Sequence, residues 1–401
     1  MTSPAPGASW LLDLSRLLAR AHEAVPTGID RVEFAYARYL IEHASADTTF
    51  CAMHPLGRVG GVESGLANAF IKALGAYWTG GVGQPPVGLR DRIRRALVWR
   101  RPMARPGATY LLVSHHHLTR PKAIARLLRQ TKCRFVPMIH DLIPTEYPEY
   151  ARPREPARHE RRLETVARYA SGVIVPSEDV RDALCRRLAR SGRSIPVWTI
   201  PHGVDRQTTS GPGPTLDHEI TRRVAGRPYF VCLGTIEPRK NHLLLLHVWR
   251  RLVAEKGENA PVLVLIGKRG WENENIVDLL DRCPALSDHV IECNSLPDQT
   301  VRHLLVNSRA LLFPSFVEGF GLPLAEALSL NVPAICSDIA VFRQIGGSIP
   351  DYRDPLDGIG WRSAIMAYAS TGLGRTAQIG RLANWSPLTW DESVSMALSV
   401  M

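Results

Sequence analysis

Two cations in one short segment are the first residues of this chain whose spacing can do chemistry. Gly234-Thr235-Ile236-Glu237-Pro238-Arg239-Lys240-Asn241-His242 lies between an apolar, strand-like run and the helix-like stretch LLLLHVWRRL. Proline favours the first turn of a helix, so the pattern predicts Arg239 and Lys240 close to a helix N-terminus. There the positive end of the dipole repels each cation by about 0.3 to 1 kcal/mol, and a bound anion reverses that sign. Backbone N–H groups, the dipole and two cations together suit a phosphate or diphosphate. The alternative is a pair of solvated surface residues, common for Arg and Lys.

A second segment, FPSFVEGFGLPLAEAL over residues 313–328, passes from a strand end through a Gly-containing loop into another helix opened by proline. Gly319 and Gly321 permit positive φ and a close approach of backbone to ligand. Glu318 falls in the loop and Glu326 on the helix, separated along a cleft rather than touching. Two such carboxylates, each accepting from vicinal hydroxyls, suit a ligand with two sugar rings. Glu326 also fits as an acidic residue favoured near a helix start. His140 closes the run RFVPMIHD and is expected at the carboxyl end of a strand, where ligands of open α/β sheets bind, or simply as a structural cap. His115, His116 and His117 end another strand, but adjacent side chains alternate in direction, so the triplet is read as loop and not as a metal site. Gly28 precedes the helix-like VEFAYARYLIEHA, where backbone N–H groups can reach a phosphate or form an ordinary turn.

These residues need elements to hold them. Short apolar, β-branched runs recur at 10–15, 48–54, 109–114, 134–141, 172–177 and 197–201, then at 229–234, 261–267, 290–294, 310–315 and 333–337. Strands alternating with helices and buried on both faces argue for parallel sheets with right-handed crossovers. The 401 residues are too many for one core. The polar stretch RQTTSGPGPTLD, 206–217, separates the two series and reads as a linker. The expected fold class is therefore α/β, two doubly wound domains whose strand ends face one cleft.

Composition excludes other classes and leaves a charge to place. A hydrophobic share of 45% and a charged share of 22% rule out disordered, collagen-like and disulfide-scaffold chains. Seven scattered cysteines without a C-x-x-C pair argue against a zinc site and for a reducing cytoplasm. No signal-peptide pattern is read at the N-terminus, and the apolar runs are too short to cross a bilayer, so any membrane contact is expected to be peripheral. Lys and Arg number 49 against 38 Asp and Glu, a net +11 that favours an anionic partner. Residues 90–105, RDRIRRALVWRRPMAR, hold seven Arg and one Asp interleaved with Leu97, Val98, Trp99 and Met103. Such a stretch reads as an interfacial anchor on anionic lipid, and equally as a solvated basic loop; nucleic acid is not expected, since no recognised module accompanies it. The arginines of 152–168 alternate with three Glu and fit a solvated helix face.

Residues 318–326 match the E-x7-E motif of the retaining glycosyltransferases of family 4, and GTIEPRKN, IHDLIPTEYPEY, VPSEDVRDAL and CSDIAVFRQIGG resemble other hallmark segments of that family. The resemblance implies a GT-B fold of two facing Rossmann-like domains. An acceptor domain would span 1–208 with a final helix at 385–401 returning to it, and a nucleotide-sugar domain would span 209–384. It further implies that Lys240, with Arg239 beside it, binds the donor diphosphate. Glu318 would accept from hydroxyls of the transferred sugar, and Gly319, Phe320, Gly321 and Leu322 would offer it backbone N–H groups. Glu326 would hold the nucleotide ribose, His140 would approach the anomeric carbon, and Gly28 would face the phosphates. Many family members carry an arginine five residues before the motif lysine; Thr235 stands there, and Arg239 is the candidate replacement. The nucleotide base is expected around 267–271 and 295–296.

The function so implied is a metal-independent, retaining hexosyltransferase without a cofactor, first choice mannose from GDP-mannose. Its partners would be a nucleotide sugar and a lipid-linked or polysaccharide acceptor, at the cytoplasmic face of a membrane. The leaving diphosphate takes the acceptor's proton as the acceptor attacks from the same face; a competing view makes Glu318 or the His140 carbonyl a transient stabiliser. The rivals are a nucleotide-sugar epimerase of the same fold and a catalytically silent, polyanion- or membrane-binding protein. A phosphorylase would require a pyridoxal-phosphate lysine site, which is not found.

Overall fold

The computed structural model describes residues 8–80, 84–205, 217–370, 372–383 and 385–401. Most of the linker read at 206–217 lies outside these residues; Asp217 lies inside and caps the helix His218–Val224, its Oδ1 accepting from the Glu219 N–H at 2.8 Å. The chain divides into two compact units, Met1–Gly203 with Leu388–Met401, and Val204–Pro387.

The first unit is built on β1 (Trp10–Asp13), β2 (Thr48–Met53), β3 (Val59–Val62), β4 (Thr109–Leu112) and β5 (Arg134–Pro137), in spatial order β3-β2-β1-β4-β5. The sheet is parallel except for β3, which pairs antiparallel with β2 along an edge. This strand, VGGV, is absent from the sequence-based reading because two glycines interrupt the β-branched pattern. Strands β6 (Val173–Val175) and β7 (Val197–Thr199) pair with each other, and a bridge from Met138 to Ile174 joins them to the end of β5. The chain's last helix, Trp390–Ser399, belongs to this unit: Ser393 Oγ donates to Pro201 O at 2.6 Å and Arg38 reaches Asp391 at 3.3 Å.

The second unit holds a fully parallel sheet of β8 (Tyr229–Leu233), β9 (Val262–Ile266), β10 (Val290–Cys293), β11 (Leu311–Phe313), β12 (Ala334–Ser337) and β13 (Asp351–Arg353), ordered β10-β9-β8-β11-β12-β13. Alternate residues feed two cores. Tyr229, Val231, Val262 and Val264 pack with Leu324 and Phe342 on one face, while Phe230, Cys232, Leu263 and Leu265 pack with Trp249 and Trp361 on the other. Burial on both faces is why these strands read as unbroken apolar runs. The chain leaves β8 toward β9 on one side and returns to β11 on the other, so β8 and β11 flank the topological switch point, where open α/β sheets bind ligands.

Beyond β8 the chain keeps pairing with the chain beyond β9: Ile236 N–H donates to Lys268 O and Gly270 N–H to Ile236 O, both at 2.9 Å. The two backbones come so close that a Cβ on Gly267 would lie 2.0 Å from Gly234 O. Gly267→Ala therefore forces the two loops apart. The expected cost is about 2 kcal/mol or more, typical of overpacking where backbone must move, measured as a lowered urea midpoint with an unchanged denaturant slope.

Candidate functional site

Adjacency of β8 and β11 decides which side chains meet. Arg239 and Lys240 follow β8, Glu318 follows β11, and the two strands are neighbours through Leu311 and Val231. Arg239 donates to Glu318 Oε2 at 2.7 Å and to Val317 O at 3.2 Å, and Lys240 Nζ is ion-paired with Glu318 Oε1. Ser315 Oγ donates to the same Oε1 at 2.8 Å. Glu237, buried, takes the other arm of Arg239 at 2.7 Å. The loops are joined through backbone as well, Phe316 N–H donating to Arg239 O at 2.8 Å.

The two cations do not sit in the first turn of a helix. Pro238–Lys240 form a separate 3-10 turn, Asn241 adopts a left-handed conformation at φ 55°, and the helix His242–Lys256 begins only after it. Asn241 is fixed there because its side-chain amide donates to Pro314 O at 3.2 Å and Pro355 O at 2.8 Å. The proline opens the short turn instead of the long helix. Compensation of the charges comes from Glu318 and Glu237 within the protein, so the cations are neutralised before any ligand arrives.

Burial alone would keep Glu318 protonated, but the charges of Arg239 and Lys240 and their hydrogen bonds outweigh it and hold the carboxyl down at about 2. Lys240 is pushed down by its burial, against the pull of Glu318; its ammonium also lies 4.9 Å from the Phe313 ring centre. Gly319, Phe320 and Gly321 continue the loop and are all buried, and Gly321, at φ 110°, caps the helix Leu322–Ser329 with Pro323 in its first turn as the sequence predicts. Glu326 is half-buried on that helix.

The remaining candidates lie in the first unit. His140 follows β5, and its Nε2 is 2.8 Å from Val113 O. A carbonyl only accepts, so Nε2 carries the proton and Nδ1 is the lone-pair nitrogen of the neutral ring. Burial pushes His140 down to about 4, opposed by the Val113 carbonyl and Asp141. Its ring centre is 5.7 Å from that of His202 and 6.3 Å from that of His115. Of the triplet, His115–His117 form a turn after β4, and His117 turns inward to Asp13 at 3.5 Å. No group of side chains able to hold a metal ion occurs among the described residues. Gly28 is the first residue of the helix Gly28–His43, exposed, behind a network in which Thr27 N–H and Arg16 both donate to Asp30 at 2.8 and 2.6 Å.

The structure thus brings Arg239, Lys240 and Glu318 into contact and sets Gly319–Leu322 and Glu326 on the segment that follows. His140 and Gly28 stand at the ends of other elements of another unit. Three partners escaped the sequence reading: Glu237, Ser315 and His202. Glu237 and Ser315 lie inside the two motifs, so their signal was proximity to the charges; His202, far from His140 in sequence, carried none.

Both units are Rossmann-like parallel sheets with the charged cluster at the second one's switch point, and this is the architecture of a GT-B glycosyltransferase. Residues 26–208 match the family model described as Glycosyltransferase Family 4, and residues 215–347 match Glycosyl transferases group 1. The chain belongs to the glycosyltransferases that combine these two regions. It is 30% identical over 216 residues to the serotype-specific mannosyltransferase WbdA of Escherichia coli, covering 52% of this chain and 26% of that protein. It is 28% identical over 263 residues to the O-antigen chain mannosyltransferase B of Escherichia coli, covering 62% and 68%. The chain thus spans about a quarter of the length of the WbdA relatives. Among solved structures it resembles a sucrose-phosphate synthase of Thermosynechococcus elongatus (16% identity) and a trehalose 6-phosphate synthase of Burkholderia multivorans (12%), each with a TM-score of 0.61 and 97% of both chains covered. At such identities the likeness concerns fold.

A carboxylate held at about 2 contributes stability above its ordinary value of 4.5 and loses it as pH falls from there toward 2. Replacing it leaves two largely buried cations short of a partner, so Glu318→Gln is expected to cost roughly 3 kcal/mol at pH 7. That difference shrinks as pH is lowered below 4.5, because the unfolded wild-type chain then binds a proton at this carboxyl that the folded chain takes up only near 2. Urea unfolding of both proteins at pH 7, 5 and 3.5 measures it.

Proposed function

We propose that this glycosyltransferase moves a hexose, mannose from GDP-mannose as first choice, from a nucleotide sugar to a lipid-linked or polysaccharide acceptor with retention of configuration. The observation that carries the reading is the convergence of Arg239 and Lys240 on Glu318 at the switch point of the second sheet. The mannosyltransferase names of the relatives favour mannose among hexoses.

The donor diphosphate competes with the Glu318 carboxylate for the two cations. Once it has displaced that carboxylate, Glu318 is free to accept from hydroxyls of the transferred sugar, with backbone N–H groups of Gly319 to Leu322 beside it and Glu326 on the ribose. The bond from the anomeric carbon to the phosphate oxygen breaks, and the electron pair leaves with the diphosphate, whose charge Arg239 and Lys240 meet. The acceptor oxygen attacks from the same face and gives its proton to the departing phosphate oxygen. Most of the acceleration in such a scheme comes from stabilising the charge that grows in the transition state, which needs neither enzyme nucleophile nor metal. From the first unit, neutral His140 serves the sugar near the anomeric carbon and Gly28 the phosphates. The base is assigned to residues 267–271 and 295–296.

Incubation with a panel of nucleotide sugars and glycan acceptors tests the reaction, with the product's anomeric configuration read by NMR and activity compared with and without EDTA. Lys240→Ala is expected to lower kcat by about 100- to 1,000-fold, as for loss of one donor to a developing anion. Arg239→Ala should weaken nucleoside diphosphate binding by calorimetry; unchanged binding would remove Arg239 from the donor site. Thermal shifts with GDP, UDP and dTDP rank the bases, and the absence of both turnover and binding of any nucleoside diphosphate overturns the enzyme reading.

A further inference from the structure

We propose that the surface carrying Arg92, Arg95, Trp99, Arg101 and Met103 docks the first unit on an anionic lipid bilayer. The helix Val87–Ala96 turns Ile93 into the protein, followed by Leu97, at 1% and 0% exposure, and leaves Arg92 and Arg95 at its more open positions. The segment that follows is not a free loop. Gly61 N–H donates to Arg100 O at 3.0 Å, and a Cβ would lie 2.3 Å from Leu97 O if placed on Gly60 and 2.6 Å from Arg101 O if placed on Gly61. The two glycines of β3 therefore let the 97–102 backbone press against the sheet edge, which fixes the direction in which its side chains are displayed.

What is displayed is apolar as well as basic. Trp99 is 84% exposed and Met103 77%, whereas the other eight tryptophans are buried or half-buried. Around them, Arg100 pairs with Glu63 at 3.1 Å, Arg105 with Asp47 and Arg90 with Asp91. Among the described residues Arg92, Arg95 and Arg101 are in no ion pair; the nearest acidic charge to Arg95, Asp91 one helical turn away, is paired with Arg90. A merely solvated basic helix gives no reason to hold a tryptophan and a methionine outward on a braced backbone. Cations flanking an aromatic and a flexible apolar side chain match the boundary between lipid headgroups and acyl chains. Single-stranded nucleic acid would find one stacking face in Trp99 and none in Met103. Among the described residues no helix is long and apolar enough to cross a membrane, so the contact is peripheral.

The test is co-sedimentation of the full chain with vesicles of phosphatidylcholine alone or mixed with phosphatidylglycerol, at low and high salt. Binding to the mixed vesicles only, weakened by salt, is expected. The triple reversal R92E/R95E/R101E should lose about 100-fold or more in affinity. Trp99→Ala with Met103→Ala should bind the same vesicles less tightly and retain the salt dependence. Circular dichroism and melting temperature unchanged in both variants separate lost docking from lost folding. Equal binding to both vesicle types, no binding, an undiminished triple reversal, or equally tight binding of a single-stranded DNA oligonucleotide would each overturn the proposal.

Discussion

The site of the second unit depends on one contact, the carboxylate of Glu318 held by Arg239 and Lys240. It joins the loop after β8 to the loop after β11, segments that are neighbours only because the sheet reverses its winding between those strands. The loop after β8 is also paired with the loop after β9 through Ile236, Lys268 and Gly270. The ion pairs, with the backbone bond from Phe316 to Arg239 and the Asn241 bonds to Pro314 and Pro355, hold the loops after β8 and β11 in one arrangement.

This contact balances charge as well as position. A buried lysine beside a half-buried arginine, without partners, would be costly, and Glu318 with Glu237 supplies the compensation inside the fold. The cluster is therefore stable without ligand and remains suited to an anion that can offer the same two cations more negative charge than one carboxylate. On the proposed function, stability and donor binding draw on the same side chains, as expected where a site is assembled in advance of its substrate.

The first unit repeats the logic with different chemistry. Its switch point lies between β1 and β4, and there Asp13 ends β1, accepts from the Tyr110 hydroxyl at 3.0 Å and faces His117 at 3.5 Å. Burial acts against ionisation of Asp13, but His117 and its hydrogen bonds leave the carboxyl below its usual range. Glu33 nearby, buried and close to the Asp13 charge, is pushed up to about 8. Beside this polar core stands His140, kept neutral by burial.

By itself the sequence determined the fold class, the strand runs of both sheets except β3 and β13, and the two charged motifs. Those features are local: apolar runs of strand length, glycine and proline at loop ends, and cations or carboxylates in fixed spacing. It placed Arg239 and Lys240 close to a helix N-terminus, as they are, but not the separate turn that holds them, because the left-handed residue Asn241 between turn and helix is held by carbonyls more than seventy residues away in sequence. It also missed β3, whose glycines gain their meaning only from the 97–102 backbone packed against them. Tertiary structure alone decided that Glu318 neutralises both cations, that His202 lies beside His140, and that Trp99 faces outward while the other tryptophans do not. Each of these depends on strand order and long-range packing, which bring together residues whose local sequence holds no record of one another.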